Sequence, residues 1–553
     1  MNSFPHVSAH PAIVLAIRRV PGSIRASRVL TGALAGQFSF HAIWPRLFHV
    51  ETWPARAPTT ASGFGIGTCA PQKGRTVSRC AIRLLPFLFA GLLAGCAVGP
   101  DYHPPKTAAP AQWVSPQEGG ETNLPPADTA WWESFHDAEL DSLVVRAAQS
   151  NLNLRAAVAR VRQARAAARV VSAGLSPTLD AASSYTRERY SANGFPPFPP
   201  GVPLDADVYQ AGFDAAWELD VFGGTRRAAE AARADVAAAE FGRRNLAITI
   251  SAEVARHYVA ARAFQRRLAV ADASLQAQEQ ILALTRDRFA KGLTGNLDVQ
   301  EADALLASTR AQTPGFEAGF RNAVYQLALL LGQPPGALLE ELTNAAPIPA
   351  APPAVPVGLP SDLLQRRPDV QQAERQLAAA TARVGAAESE LYPKFSLTGD
   401  VGLQSLSVGD WFAAGSRFWT AGPTVQWRIF DAGRIRAGIA VQNARVDEAL
   451  AAYEQTMLAA FTDVETALTA YAQEQTRRQS LARAAQANEQ VVALASDLYS
   501  HGLADFLHVL ESQRALYQSQ DALIESEREV SSDLIALYKA LGGGWENQTL
   551  PAK

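Results

Sequence analysis

The second half of this 553-residue chain repeats its first half. Arg288-Phe289-Ala290-Lys291-Gly292-Leu293-Thr294-Gly295-Asn296-Leu297-Asp298-Val299 returns as Leu498-Tyr499-Ser500-His501-Gly502-Leu503-Ala504-Asp505-Phe506-Leu507-His508-Val509. The offset of 210 holds from Val254/Val464 to Leu331-Gly332/Leu541-Gly542. Upstream it becomes 216, pairing Leu175-Ser176-Pro177 with Leu391-Tyr392-Pro393 and Asn153-Leu154 with Asp369-Val370. A duplicated unit of this size, mixing helical and alternating segments, suits a symmetric wall around an axis better than a catalytic pocket.

Within each copy the hydrophobic period changes twice. Tyr209, Ala211, Phe213, Ala215, Trp217 and Leu219 alternate with Gln210, Gly212, Asp214, Ala216, Glu218 and Asp220. The looser run Thr178 to Tyr190 precedes them across a Pro/Gly-rich turn at 194–201, which predicts a hairpin with one apolar and one polar face. In the second copy Phe395, Leu397, Gly399, Val401 and Leu403 alternate, and Trp419, Ala421, Pro423, Val425, Trp427 and Ile429 follow on the return strand. Each strand is about long enough to cross a bilayer.

Each hairpin then runs into a helix without a Pro from Gly224 to Ala290, or its equivalent. Val254, Ala261, Leu268, Leu275, Leu282 and Phe289 recur every seven residues. At 1.5 Å per residue such a helix reaches roughly 100 Å, and its seven-residue repeat predicts coiled-coil packing. After a Gly-containing turn a helix returns antiparallel. Thr313-Pro314-Gly315 is expected to interrupt the first return helix.

No run of about 20 apolar residues exists to span a bilayer as a helix, so any crossing must be made by strands. An open four-stranded sheet in lipid leaves its edges unsatisfied, so other copies must complete a barrel. Two chains give eight strands and a filled interior; three give twelve and room for a lumen. Residues 1–95 carry ten Lys/Arg and one acid, Glu51, so a net −3 for the whole chain becomes −12 for the remainder, which argues against a nucleic-acid partner.

Arg79-Cys80-Ala81-Ile82-Arg83 followed by the apolar run Leu84 to Ala94 reads as a signal peptide. It ends in Leu93-Ala94-Gly95-Cys96, which resembles the bacterial lipobox. That resemblance implies lipidation of Cys96, with diacylglycerol and an N-palmitoyl chain as the only attached groups and no other cofactor. Ala97 in place of Asp implies the outer membrane. The only methionines are Met1 and Met457, so residues 1–76 are expected to be a discarded leader or an upstream translation artefact, with Val77 a candidate start. Cys96 is then the only mature cysteine, and neither a disulfide framework nor a cysteine metal site remains.

The expected organisation is therefore residues 1–76, a signal at 77–95 and a lipidated Pro-rich tail at 96–137. Repeat one follows at 138–332, with its hairpin at about 177–222 and tip turn at 291–296. A Pro-rich linker spans 333–360. Repeat two spans 361–543, with its hairpin at about 393–430 and tip turn at 501–506, and a tail closes the chain at 544–553.

Leu359-Pro360-Ser361-Asp362-Leu363-Leu364-Gln365-Arg366-Arg367-Pro368-Asp369-Val370, continuing to Leu391-Tyr392-Pro393, resembles the signature of TolC-type outer membrane factors. The similarity is to the NodT-like lipoprotein branch serving RND efflux pumps. Trp131-Trp132-Glu133-Ser134-Phe135, the turn at 502–509 and Ala540-Leu541-Gly542-Gly543 match as well, so the resemblance covers about residues 97–545. It implies an α+β membrane protein: a homotrimer whose four transmembrane β-strands per chain form a 12-stranded barrel in the outer membrane of a Gram-negative bacterium, continued by coiled-coil helices as a periplasmic α-barrel. Its implied partners are a periplasmic adaptor (membrane fusion) protein, an inner-membrane RND transporter and outer membrane lipid. The implied role is passive export of drugs or other small toxic compounds, without catalysis.

The resemblance places a gate at the helix tips, just after the second turn. The matching residues are Leu507, His508, Glu511 and Arg514; Leu507, Glu511 and Arg514 share one helical face. Threefold symmetry makes each a ring: an apolar constriction at Leu507, an acidic ring at Glu511, and at Arg514 a latch to an acid on a neighbouring helix. His508 departs from the carboxylate or small polar residue common among relatives, which would allow the gate to respond to pH. Singly, each is also what a solvated helix face presents. Leu297 and Glu301 are the first-copy equivalents, while Gly292 and Gly502 serve the turns and the adaptor contact. His508 and Glu511 have a spacing usable for a metal, but no other ligands converge, so no metal site is expected. No phosphate-binding or nucleophile-elbow motif occurs in a suitable context. A type I protein-secretion duct uses the same architecture, and a pore-less periplasmic coiled-coil lipoprotein is the alternative from another class.

Overall fold

The computed structural model describes residues 97–105, 109–115, 121–122, 130–194, 199, 201–352 and 355–544. The leader at 1–76, the signal at 77–95, Cys96, parts of the tail and of the first hairpin turn, and residues 545–553 lie outside the described residues.

In chain order the elements are β1 (Glu121–Thr122), α1 (Ala138–Ser150), α2 (Leu152–Ala173), β2 (Thr178–Arg189), β3 (Asp205–Leu219), α3 (Gly224–Ala290), α4 (Asn296–Arg310) and α5 (Thr313–Leu330). The second copy supplies β4 (Val355–Pro356), α6 (Pro360–Arg366), α7 (Pro368–Ser389), β5 (Lys394–Ser405), β6 (Arg417–Gln426), α8 (Arg434–Ser500) and α9 (Phe506–Ala540). Among the described residues no helix is long and apolar enough to cross a membrane.

Helices α3 and α8 are each 67 residues long. Each starts beyond a glycine in the left-handed region, Gly223 or Gly433, and each is capped by an upstream aspartate. Asp220 accepts from the Thr225 and Arg226 amides, and Asp431 from the Gly433 and Ile435 amides. Of the seven-residue series on α3, Val254, Ala261 and Leu282 are buried, but Phe289 is exposed, because the seam ends where the tip turn begins. The first return helix is broken between Arg310 and Thr313, where Pro314 cannot donate. The second, α9, is unbroken over 35 residues.

The strands form one antiparallel sheet in the order β2-β3-β5-β6. Each hairpin pairs internally, and β3 joins β5 in the register Tyr209↔Ser405 to Leu219↔Phe395. Strands β2 and β6 are open edges within the chain. Trp427 and Ile429, read from sequence as the end of the return strand, lie beyond β6. There the chain turns toward α8, and Trp427 Nε1 donates to Leu391 O at 3.0 Å. Its repeat counterpart, Trp217, donates to Leu175 O at 3.0 Å.

The main core sits at the waist. Trp131, Leu140, Leu143, Tyr258, Leu327, Val464, Tyr471, Leu534 and Ile535 belong to one cluster. Asp137 caps α1 by accepting from the Glu139 and Leu140 amides, and it also accepts from the Tyr258 hydroxyl at 2.8 Å. The stretch read as a linker supplies Leu338, Leu342, Val355 and Val357 to this core. Its carbonyls are satisfied by side chains: Arg262 donates to Asn344 O and Gln265 to Leu342 O. The Pro-rich tail likewise packs rather than dangles. Strand β1 pairs parallel with β4, and Trp113 Nε1 donates to Gly358 O. Prolines there enforce extension, and the intervening apolar side chains supply the packing.

Candidate functional site: the helix tips and the sheet interior

Both tip turns use one geometry. Gly292 (φ 72°) and Gly502 (φ 73°) follow the last helical turns of α3 and α8 in the left-handed region, where a Cβ is strained. Their amides donate to Phe289 O and Tyr499 O, and the next amides, Leu293 and Leu503, donate to Arg288 O and Leu498 O. These bonds satisfy the last carbonyls of each helix.

A small core welds the two tips together. Leu282, Val299, Leu305 and Leu306 of the first copy pack with Ala495, Tyr499, Phe506, Val509 and Leu510 of the second. Arg288 closes it. Its guanidinium lies 4.6 Å from the Tyr499 ring centroid, and Nη1 donates to Tyr499 O at 3.0 Å and to Ser500 O at 3.4 Å. A cation at the carbonyl end of a helix is favoured both by the dipole and by the ring face. Sequence reading passed over Arg288. The signal was its departure from the repeat, since position 498 holds Leu.

The residues expected at the gate lie on the opposite face of α9. Leu507 is 49% exposed, and His508, Glu511 and Arg514 are exposed as well. Val509, Leu510, Ser512 and Gln513 turn inward. Leu507, Glu511 and Arg514 thus share one solvent-facing stripe, but within a single chain Arg514 makes no ion pair among the described residues. Leu297 is exposed and Glu301 half-buried at the start of α4. Among the described residues no group of three or more His, Cys, Asp or Glu is placed to hold a metal ion.

The register assigns the two faces of the sheet. Ala181, Phe213, Val401 and Trp419 form one cross-strand row, with Trp419 75% exposed. One residue along lies the row Asp180, Asp214, Asp400 and Thr420 on the opposite face, and the Thr420 hydroxyl donates to Asp400. An apolar face this exposed is suited to lipid, and its polar counterpart to water.

A strap from the amino-terminal side ties the sheet end of the helices together. Ala97 lies against Gly223, and the Val98 amide donates to Phe222 O at 3.0 Å. Arg227, whose side chain is nearly buried, donates to Val98 O, Gly99 O and Asp101. Gly99 meets Gly385 so closely that a Cβ on Gly99 would lie 2.3 Å from the Gly385 Cα. Cys96 therefore adjoins a residue held at the junction of sheet and long helix.

At the waist, Arg367 of the signature segment is a structural keystone. It donates to Asp369, to Asp463, and to the Ala460 and Ala540 carbonyls, so one side chain joins α7, α8 and the end of α9. It borders a cavity of about 400 Å³ lined also by Asp533 and Lys539.

The family model described as outer membrane efflux protein matches residues 143–333 and 359–543, which correspond to the two repeats. The chain is 34% identical over 467 residues to the toluene efflux pump outer membrane protein TtgC of Pseudomonas putida, covering 83% of this chain and 95% of that protein. It is 31% identical over 471 residues to nodulation protein T of Rhizobium leguminosarum bv. trifolii, covering 83% and 97%. Among solved structures it is similar to the outer-membrane channel OprN, with a TM-score of 0.76 and 35% identity over 81% of this chain and all of that one.

Proposed function

Because the chain belongs to the outer membrane efflux protein family, we propose that it is the trimeric exit duct of a tripartite RND-type efflux pump. The observation that carries this reading is a sheet with two open edges and one exposed apolar face, standing on two 67-residue helices. Such edges cannot stay unpaired in lipid. Three copies close a 12-stranded barrel around an aqueous lumen, and the helices continue that lumen across the periplasm.

TtgC is by name part of a toluene efflux pump, and the proposed cargo here is of the same broad kind: drugs and other small toxic compounds. The duct is passive and performs no catalysis. An inner-membrane transporter supplies the energy, and a periplasmic adaptor grips the tips around Gly292 and Gly502. Lipid on Cys96 fits the strap, which holds Ala97 at the level where the sheet meets the helices. The stripe Leu507, His508, Glu511 and Arg514 lines the constriction once three tips converge.

Planar-bilayer recording tests this directly. Purified protein should give single-channel currents at a mass of three chains, and deletion of the gene should sensitise the cell to apolar toxicants. A trimer with no conductance would favour a pore-less structural lipoprotein. Loss of a secreted protein, without any change in drug susceptibility, would favour the type I secretion duct.

A further inference from the structure

The polar face of the sheet carries a built hollow. Gly212 and Gly402 stand directly opposite each other on β3 and β5, and Ala182 and Phe418 complete their cross-strand row. Neither glycine has room for a side chain. A Cβ on Gly212 would lie 2.6 Å from Val401 O, and one on Gly402 would lie 2.4 Å from Ala211 O. Phe418 leans over the gap, with its Cε1 2.9 Å from where that second Cβ would sit. Glycine inside a strand weakens it and often marks the close approach of a ligand or of another backbone. What remains is a space of about 110 Å³ bordered by the Phe418 ring, Ser184, Gln210 and Asp214. The hollow is made once per chain: by the offsets of 210 and 216, the counterpart of Phe418 is Val208 and that of Gly402 is Thr186.

The charge around it has one sign. The next row on this face holds Asp180, Asp214, Asp400 and Thr420, while Glu188 and Glu218 lie on it toward the two ends of the sheet. Its strand cation, Lys394, pairs with Glu390, and Arg187, Arg189 and Arg417 fall on rows of the apolar face. The Thr420 hydroxyl donates to Asp400, whereas Asp214, which borders the hollow, makes no ion pair among the described residues. An aromatic ring beside a free carboxylate recognises a cation that carries apolar substituents. The ring quadrupole and the carboxylate both attract the positive charge, and the missing side chains leave space for a substituent.

We propose that the hollow between Gly212, Gly402 and Phe418 is a subsite for organic cations on the lumen wall, with the Phe418 ring and the Asp214 carboxylate as its recognition groups. This rests on the duct reading above and names a class of cargo for it. Three copies would set three such subsites at one level of the barrel. Binding there is weak by necessity, since a solute in transit has to leave as readily as it enters.

Block of the potassium current in planar bilayers tests this on the full-length protein, with benzyltrimethylammonium as the probe. Each block is referred to the unblocked current of the same variant, purified at the mass of a trimer. The half-blocking concentration should rise several-fold in Phe418→Leu and in Asp214→Asn, and stay near the wild-type value in Phe418→Tyr, which keeps the ring. Benzenesulfonate, an aromatic of the opposite charge, should not block at the same concentrations. A wild-type channel that benzyltrimethylammonium does not block would overturn the subsite. So would a block that weakens in Asp214→Asn but not in Phe418→Leu, since the carboxylate row alone would then account for it. Absence of any current from wild-type trimers would instead overturn the duct reading, and this inference with it.

Discussion

Asp214 and Asp400 stand directly opposite each other where the two hairpins join, and Asp180 extends the row onto the outer strand. Like charges at opposed positions oppose pairing, so this row is a cost the sheet carries. In the proposed barrel three chains would set nine carboxylates at one level. Replacing all three aspartates by Asn should lower the cation-over-anion permeability ratio, read from the reversal potential in a salt gradient. An unshifted reversal potential would remove the row from selectivity.

Arg288 should be the stronger of two restraints at the tip. Its bonds to the Tyr499 and Ser500 carbonyls and its place over the ring together contribute about 1–3 kcal/mol. Arg288→Ala should loosen one hairpin from the other, raising leak conductance and the rate of protease cleavage near residue 292. Glu511→Ala with Arg514→Ala touches no contact within the chain, so it should raise conductance while leaving that cleavage rate unchanged. Equal cleavage in both variants would show that Arg288 is not the tether.

Arg367→Met should destabilise the waist by about 3–5 kcal/mol, because it leaves Asp369, Asp463 and the helix-end carbonyl of Ala540 without their shared donor. Lysine should recover little, since it cannot address three elements from one planar group. Denaturant midpoints of the three proteins test this, and a wild-type midpoint for the Met variant would contradict the keystone role.

Burial, with Glu529 and Glu474 nearby, pushes the Asp533 carboxyl up to about 6. The folded state then holds this proton more tightly than the unfolded chain, whose carboxyl titrates near 3.8. Stability linked to Asp533 is therefore fully present below pH 3.8 and is lost as pH rises through about 6. Asp533→Asn should raise the thermal midpoint at pH 7.5 and flatten its decline between pH 5 and 7.5. A parallel decline in both proteins would show that another group is responsible.

Local periodicity made most of this architecture readable. Alternation at Tyr209 to Leu219 named the faces of β3, and the absence of proline between Gly224 and Ala290 bounded α3. The pairing of β3 with β5 was not readable, because it joins residues nearly two hundred apart and no turn chemistry sets it. The aspartate row is invisible without that register. Arg288 escaped for a similar reason: its partners lie 211 and 212 positions away. The segments around Trp113 and Leu338 looked like connectors because proline marks extension, and extension does not say whether a strand of chain lies on a surface or leaves it. Leu507, Glu511 and Arg514 share an exposed stripe of α9, and in the proposed trimer that stripe would face neighbouring copies, which one chain's sequence does not display.

The interruption between Arg310 and Thr313 has a mechanical consequence. Tyr517 on the unbroken α9 pins Gln312 at that break through a 3.1 Å hydrogen bond. One leg of the duplicated unit is thus articulated at mid-length and the other is a stiff rod. Each tip is also carried by an unbroken 67-residue helix, so the two copies differ in their return legs alone.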